Sequence, residues 1–530
     1  MKMINIIPQP VEVQEKVGFF RLDSETRILY QSELKDVTTY LVTMLKTSTG
    51  YNLETQVFQK EEANSILLIL DSKTNNLPKG GYRLEISSEN IIIRSGSSNG
   101  IFHGIQSLRQ LFPREIEVKE KNFGIEWKVN CLIIIDYPRF AWRGFMFDEG
   151  RHFHGIKVVK RLLDLLALYK FNKFHWHLTD DQGWRIEIDT YPKLVKIGSK
   201  REGTQIGGIK SFLTKQRSHD THEGYYTKEE LIEIVNYAKN LFIDIIPEID
   251  IPGHSMAAIA SYPEFSCTGG PFEVATTWGI KKDVLCPGKE GTFEFIQKIL
   301  LEIMEIFPHR VLHIGGDEVP KSRWKKCLDC QTRKIENKLS NEDQLQDYFI
   351  NRIAKFLLKN ERTPMGWNEV LHDDLIPEMI GQHWLKDDKL VEQHLKSGRQ
   401  FVISRFFYYY LDYDYLMTPL GKTYNFEPVL LTLEPDFHEN NLGIEAPLWT
   451  EWIPNQRRID WQTFPRLIAV SETAWSQIDN RNFQSFKKRL GFHLKRLELL
   501  GVNNASLKES DPGFIRRMFL PLKIFKDPNR

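Results

Sequence analysis

The sequence predicts an α/β protein, a (β/α)₈ TIM barrel preceded by a smaller α+β domain. Three observations predict it. From Trp142 onward, short apolar segments alternate with helical patterns, and eight such segments can be placed, the grammar of a closed parallel barrel rather than an open sheet. Polar or aromatic residues close nearly every segment: Asp148, Asp180, His254, Asp317, Glu318, Trp367, Trp384 and Glu451. In a barrel those ends share one rim, where sites form. Residues 1–137 follow a different grammar and are set apart as an accessory α+β domain, leaving 138–530 for the barrel and C-terminal helices.

In the first domain SILLILD (65–71), YRLEISS (82–88) and NIIIRSG (90–96) read as strands, the last two as a hairpin. Helical apolar spacing runs over 36–49 and 100–111, and CLIIIDYPRF (131–140) reads as a link between the two domains. The barrel strands are placed at WRGFMFDEG (142–150), FNKFHWHLTD (171–180), FIDIIPEIDIPGH (242–254) and RVLHIGGDE (310–318). The remaining four are TPMGWNE (363–369), MIGQHW (379–384), FVISR (401–405) and GIEAPLWTEW (443–452). Helical patterns intervene at 156–169, 227–240, 291–306, 341–358 and 387–396.

Composition narrows the function. The 530 residues are 41% hydrophobic and 27% charged, which is ordinary for a globular protein. A net charge of +1 implies no nucleic acid or other acidic polymer as partner. No apolar run approaches the roughly 20 residues needed to span a membrane. The N-terminus MKMINIIPQPVEV lacks an apolar signal core and a small-residue cleavage site, so a cytoplasmic location is expected. Oligomeric state is not legible. Five cysteines are present; Cys327 and Cys330 have metal-ligand spacing, but no second CxxC or nearby His pair completes a zinc site. Cys267 and Cys286 flank a Gly-rich loop, which a disulfide between them can close, or they remain thiols. No metal and no cofactor is therefore expected.

The chemistry concentrates in a few segments. In HIGGDE (313–318), adjacent carboxylates on a regular strand would point apart, but at a strand-to-loop transition Asp317 and Glu318 can reach one cleft. Mutual repulsion then raises one pKa and keeps that group protonated, as a glycosidase needs for its leaving oxygen. His175 and His177, in HWHLTDDQGWRIEI (175–188), lie on one face of a strand. They can bind a metal, as in amidohydrolases, but packing or hydrogen bonding inside the barrel is favoured because no matching ligands mark the later strands. PEIDIPGH (247–254) puts His254 in a tight turn off a strand end, where it can orient a carboxylate. Trp367, Trp384 and Trp449 converge near three strand ends as an aromatic box for a small ring. In RFFYYYLDY (405–413), Tyr410 and Asp412 share strand parity and can both hydrogen-bond a ligand.

These motifs, with WRGFMFDEGRHF (142–153), GWNE (366–369), YLDY (410–413), EAPLWTEW (445–452) and PRLIAVSETAW (465–475), resemble family 20 glycoside hydrolases, the β-N-acetylhexosaminidases. They run in family order across the whole barrel, and the N-terminal unit is similar to the family's accessory domain. The resemblance implies exo-acting removal of terminal β-linked GlcNAc or GalNAc from glycans or oligosaccharides. It casts Glu318 as general acid/base, Asp317 as the residue that holds and polarises the substrate's 2-acetamido group, and Tyr410 as donor to the acetamido carbonyl. Arg143, Asp180, Asp412 and Glu451 would bind sugar hydroxyls; Trp367, Trp384 and Trp449 would wall the pocket; His254 would support the acids. The family retains configuration without an enzyme nucleophile: the acetamido oxygen attacks the anomeric carbon and forms an oxazolinium. Two other readings compete. A metal-dependent amidohydrolase rests on His175 and His177, and a non-catalytic sugar-binding barrel would have no need of a proton donor.

Overall fold

A computed structural model describes residues 4–71, 76–122, 124–207, 216–370, 374–385, 388–429 and 435–513. Residues 514–530, assigned from sequence to the second domain, lie outside the described residues.

Residues 12–136 build one seven-stranded sheet: β1 (Glu12–Arg21), β2 (Arg27–Tyr30), β3 (Thr55–Val57), β4 (Ser65–Leu70), β5 (Tyr82–Ile86), β6 (Asn90–Ser95) and β7 (Lys128–Asp136). The spatial order is β1-β7-β5-β6-β4-β2-β3. Helices Lys35–Thr49 and Ser98–Leu111 pack on it, the second through Ile101, Phe102, Ile105 and Leu108, an i, i+4 stripe that is fully buried. β5 and β6 form the expected antiparallel pair. The segment read as a link is instead a central strand: β7 lies antiparallel between β1 and β5. Two flanking strands explain its apolar run Cys131–Ile135 better than a connection does. β1 was invisible in the sequence because it is an exposed edge strand with a single buried residue, Phe20, and so has no apolar period to read.

Every segment placed in the barrel contributes a strand: β8 (Trp142–Asp148), β9 (Lys173–His177), β10 (Asp244–Glu248), β11 (Val311–His313), β12 (Thr363–Trp367), β13 (Ile380–His383), β14 (Phe401–Ile403) and β15 (Asn441–Leu448). All pair in parallel, and β15 closes on β8 with Gly443 opposite Trp142 and Leu448 opposite Phe147. Burial on both faces explains why they read as continuous apolar runs. Local signals fix the surrounding helices. Thr227 and Glu230 form a reciprocal capping box on Lys228–Asn240, and Asn341 caps Glu342–Lys359.

The barrel interior is layered. Trp142, Ile246, Val311, Met365, Ile380 and Val402 plug its N-terminal end. Above them sits a polar layer organised by two buried carboxylates. Glu445 accepts from Trp142 Nε1 at 2.9 Å and Gln382 Nε2 at 2.7 Å, and meets His175 Nδ1 at 2.8 Å. Glu248 accepts from Trp367 Nε1 at 2.8 Å and meets His313 at 2.9 Å and His177. Burial alone would expel such charges, so the ring of donors is what lets them stay. The rim residues stand on this layer.

The two units meet at Asp136, at the end of β7. Its carboxylate accepts from Lys170 Nζ at 2.8 Å, Trp475 Nε1 at 2.9 Å and Tyr82 OH at 2.7 Å.

Candidate active site

The site grows from the C-terminal ends of the strands. β11 stops at His313, and the chain leaves through Gly315 and Gly316 at φ 64° and 101°. Gly315 is obligatory, since a Cβ there would lie 1.7 Å from Asp250 Oδ1. The same Asp250 oxygen accepts from Gly316 N at 3.2 Å and fixes the turn. Asp317 and Glu318 come next, off the strand, and line one cleft of about 330 Å³. Past β10, the turn through Pro252 and Gly253 delivers His254. Gly253 passes so close to the Asp317 carbonyl that an added Cβ would sit 3.0 Å from it. His254 and Glu318 both hold left-handed φ, 46° and 49°. Strain of this kind, of order 1–3 kcal/mol per residue, persists where surrounding structure imposes it and clusters at functional sites.

His254 links two sets of carboxylates. Its Nδ1 lies 3.4 Å from Asp180 Oδ1 and 3.5 Å from Asp181 Oδ2. Its Nε2 lies 3.6 Å from Glu318 Oε2 and 3.8 Å from Asp317 Oδ2. Burial opposes a charge on the ring, but Asp180, Asp181 and Glu318 hold the imidazolium well above the usual histidine range. Asp317 is pushed up to about 6, by burial first, with Glu248 and Glu318 adding to it and His254 pulling the other way. The two adjacent acids differ in setting: the Glu318 side chain is 37% exposed and that of Asp317 13%.

Aromatic rings form the walls. Trp384 and Tyr410 stack at 6.1 Å and 25°, Trp449 stands 5.7 Å from Trp367 and 6.3 Å from Tyr410, and all four line the cleft. Trp367 is nearly fully buried and forms the floor. Trp278 and Trp452 complete the mouth, with Trp278 Nε1 donating to Glu451 Oε1 at 2.8 Å. Around these rings lie polar atoms in unusual states. Asp412 Oδ1 and Asp317 Oδ1 are buried without a hydrogen-bond partner among the described residues. Burial, and then neighbouring Glu451, raise the Asp412 carboxyl far above its usual range. Glu369, which accepts from Trp384 Nε1 at 2.9 Å, is pushed up to about 7 by burial and by Asp317.

Of the residues singled out from sequence, Asp317, Glu318, Tyr410, His254, Trp367, Trp384, Asp412, Trp449 and Glu451 all line this one cleft. Two differ from expectation. Arg143 is the second residue of β8 and lies at the closed end of the barrel, donating to the backbone carbonyls of Lys170 and Phe140 beneath Trp475. It cannot reach a sugar in the cleft. Arg151, just past the other end of the same strand, does line it. Its guanidinium lies 4.7 Å over Trp449, bonds Asp180 at 2.8 Å and approaches Glu451 at 4.0 Å. The signal was available: only the C-terminal ends of barrel strands reach the rim, and Arg151 lies beyond that end while Arg143 precedes it. Asp180 is wholly buried behind Arg151, His177 and His254, so it orients those side chains and does not face a ligand. Trp278, Trp452 and Glu369 were not picked out from sequence. Trp278 lies in an irregular loop with no period to mark it.

The favoured reading of His175 and His177 matches the interior. Every nitrogen of both rings faces a carboxylate oxygen: Glu445 at 2.8 Å and Glu248 at 3.0 Å for His175, and Glu248 and Asp180 (2.9 Å) for His177. Burial works against a charge on His175, but Glu445 and Glu248 overcome it and raise the ring to about 9.

Comparison with known proteins agrees with this geometry. Residues 140–478 match the model of glycosyl hydrolase family 20, catalytic domain, and residues 3–137 match glycosyl hydrolase family 20, domain 2. The chain is 36% identical over 527 residues to a beta-hexosaminidase of Porphyromonas gingivalis, covering 97% of this chain and 66% of that protein. It is 33% identical over 449 residues to a beta-hexosaminidase of Akkermansia muciniphila, covering 82% of this chain and 87% of the relative. Among solved structures, the GH20 exo beta-N-acetylglucosaminidase of Vibrio harveyi in complex with N-acetylglucosamine superposes with a TM-score of 0.84 at 32% identity, over 96% of this chain and 79% of that one.

Proposed function

Because the chain belongs to glycosyl hydrolase family 20, we propose that it removes single β-linked N-acetylhexosamine residues from the non-reducing ends of glycans. In this reading the configuration is retained and the substrate's own acetamido oxygen is the nucleophile. The observation that carries it is the contrast within the adjacent pair. Glu318 faces the open side of the cleft, where a leaving group departs, and touches His254. It serves as the proton donor to the glycosidic oxygen and then as the base for water. Asp317 is deeper, and its unpartnered buried Oδ1 calls for a donor. An acetamido N–H supplies one and is thereby held with its carbonyl oxygen toward the anomeric carbon. As the ring closes, positive charge spreads onto the acetamido group, and an ionised Asp317 offsets it.

The rest of the cleft supports a terminal sugar. Trp449, Trp367 and Trp384 give flat apolar faces, while Asp412, Glu451 and Arg151 offer acceptors and donors around the ring edge. The reading is tested by assaying aryl β-GlcNAc, β-GalNAc and β-glucoside side by side. Both N-acetyl substrates should turn over and the glucoside, which carries no internal nucleophile, should not. Rates should also fall steeply from acetyl to trifluoroacetyl on the sugar nitrogen. A flat response, or a trapped covalent enzyme–sugar ester, refutes substrate assistance.

A further inference from the structure

Four cysteines far apart in sequence meet behind the acid turn. Cys286 Sγ lies 3.5 Å from Cys330 Sγ and 3.8 Å from Cys327 Sγ, and Cys267 Sγ lies 3.7 Å from Cys330 Sγ. All four sulfurs fall within 4.8 Å of one another, and none is in a disulfide. Four thiolates each about 2.3 Å from one tetrahedral zinc ion stand about 3.8 Å apart, whereas bonded sulfurs stand about 2.0 Å apart. From this spacing we infer that Cys267, Cys286, Cys327 and Cys330 form a closed tetrathiolate site for a single structural zinc ion.

The backbone around them is built to bring the thiols together. Ser266 and Leu285 form an antiparallel bridge, and Cys286 N donates to Phe265 O at 2.9 Å, which sets Cys267 beside Cys286. Cys327 occupies the N-cap position of the helix Leu328–Glu336 and Cys330 lies in its first turn, three residues on, so both thiols leave the same end of the helix. Gly288 lets the two halves close: a Cβ there would lie 2.3 Å from Cys330 N. Trp324 seals one side, its Nε1 donating to Leu285 O at 3.0 Å. Lys289 Nζ donates to the carbonyls of Glu264 and Ser266 at 2.8 and 2.7 Å, which fixes the backbone leading into Cys267. Binding is a ligand exchange without redox change: four S–Zn bonds form and the four thiol protons leave to solvent.

One cysteine pair lies on the loop that starts at His254, the other on the loop that starts at Asp317 and Glu318. Val319, next to Glu318, packs on the cluster, and Leu285 N donates to Pro252 O at 3.1 Å. The zinc thus fastens the backs of the two loops whose fronts carry the acid, its neighbour and their histidine, without itself reaching the cleft.

The test begins with wild-type protein purified under reducing conditions without added metal. Mass-spectrometric metal analysis should find one zinc per chain. A mercurial titration monitored with a zinc-sensitive dye should release that zinc as four thiols react, and Tm should fall by several degrees on its loss. Metal-stripped protein refilled with cobalt(II) should show the intense sulfur-to-cobalt and visible bands of a tetrahedral tetrathiolate. The pair Cys327→Ser and Cys330→Ser should hold no zinc, while Cys131→Ser, in β7 and apart from the cluster, should retain it. Zinc-free protein with four freely alkylated thiols, disulfides among the four, iron in place of zinc, or an unchanged Tm on metal loss would each overturn the inference. Because the wild-type measurements stand alone, a double variant that fails to fold does not blunt them.

Discussion

Asp317→Asn should slow turnover while making the folded protein harder to melt at alkaline pH. The carboxyl is raised from 3.8 to about 6 in the folded chain, chiefly by burial. Between those values the folded state holds a proton that the unfolded state has released, so stability falls as pH rises through that window. A shift of roughly two units corresponds to about 3 kcal/mol, fully expressed above pH ~7 and absent below pH ~3. Asparagine keeps the shape but has no charge to bury. At about 2.1 cal/mol/K per residue, unfolding entropy for a chain of this length makes that a gain of about 3 °C in Tm at pH ~8. Catalysis should move the other way, with kcat down roughly 10²–10³-fold and KM little changed, the scale of losing one preorganised electrostatic partner in the transition state. Calorimetry at pH ~4 and pH ~8, with steady-state kinetics on an aryl β-GlcNAc, separates the two effects. An equal Tm difference at both pH values, or a variant less stable than wild type at pH ~8, refutes the claim that the folded protein bears the cost of ionising Asp317.

Glu318→Ala should cost roughly 10²–10⁴-fold with alkyl leaving groups and far less with dinitrophenyl, which leaves without a proton; equal losses on both would deny Glu318 the role of acid. Trp449→Ala removes about 60 Å² of stacking surface, worth about 1.5 kcal/mol, so KM should rise roughly tenfold in a protein that still folds; an unchanged KM with lowered Tm would make Trp449 a core residue. Arg151→Gln should lower kcat/KM by roughly 10–100-fold, the value of a charged hydrogen bond to substrate. Arg143→Gln should leave KM unchanged and lower Tm instead, because it strips donors from buried carbonyls; the reverse pattern would restore Arg143 to the cleft.

The sequence was readable where one physical cause dominated. Strands buried on both faces read as apolar runs, and a parallel barrel sends all their C-terminal ends to one rim, so the sequence alone groups Asp317, Glu318, Trp367, Trp384 and Glu451. Readability failed where position depends on something other than period. β1 is exposed and has no apolar stripe. Arg143 lies near the start of β8 and Arg151 beyond its end, a difference of position that the residue type does not show, and Asp180 is legible as a strand-end carboxylate but not as one turned inward. The cysteine pairs lie 41 or more residues apart in sequence, and the segments that carry them converge only because β10 and β11 are neighbours in the barrel.

The charges of the cleft say what kind of ligand it wants. Asp317, Glu369, Asp412 and Glu451 all lie in or beside it, and burial raises each of them above its usual range. Against them stand Arg151 and His254, both of which already face Asp180, and Arg458, which also lines the cleft. Another anion would deepen the repulsion. A cation would neutralise it but make no use of the aromatic walls. A neutral ring rich in O–H and N–H donors satisfies the orphan oxygens of Asp317 and Asp412 and covers Trp449 and Trp384 at once. Each oxygen it satisfies recovers a desolvation cost of about 1–3 kcal/mol. The excess of acceptors thus favours a sugar, and the extra demand at Asp317, the acceptor beside the proton donor, favours a sugar whose donor there is an amide.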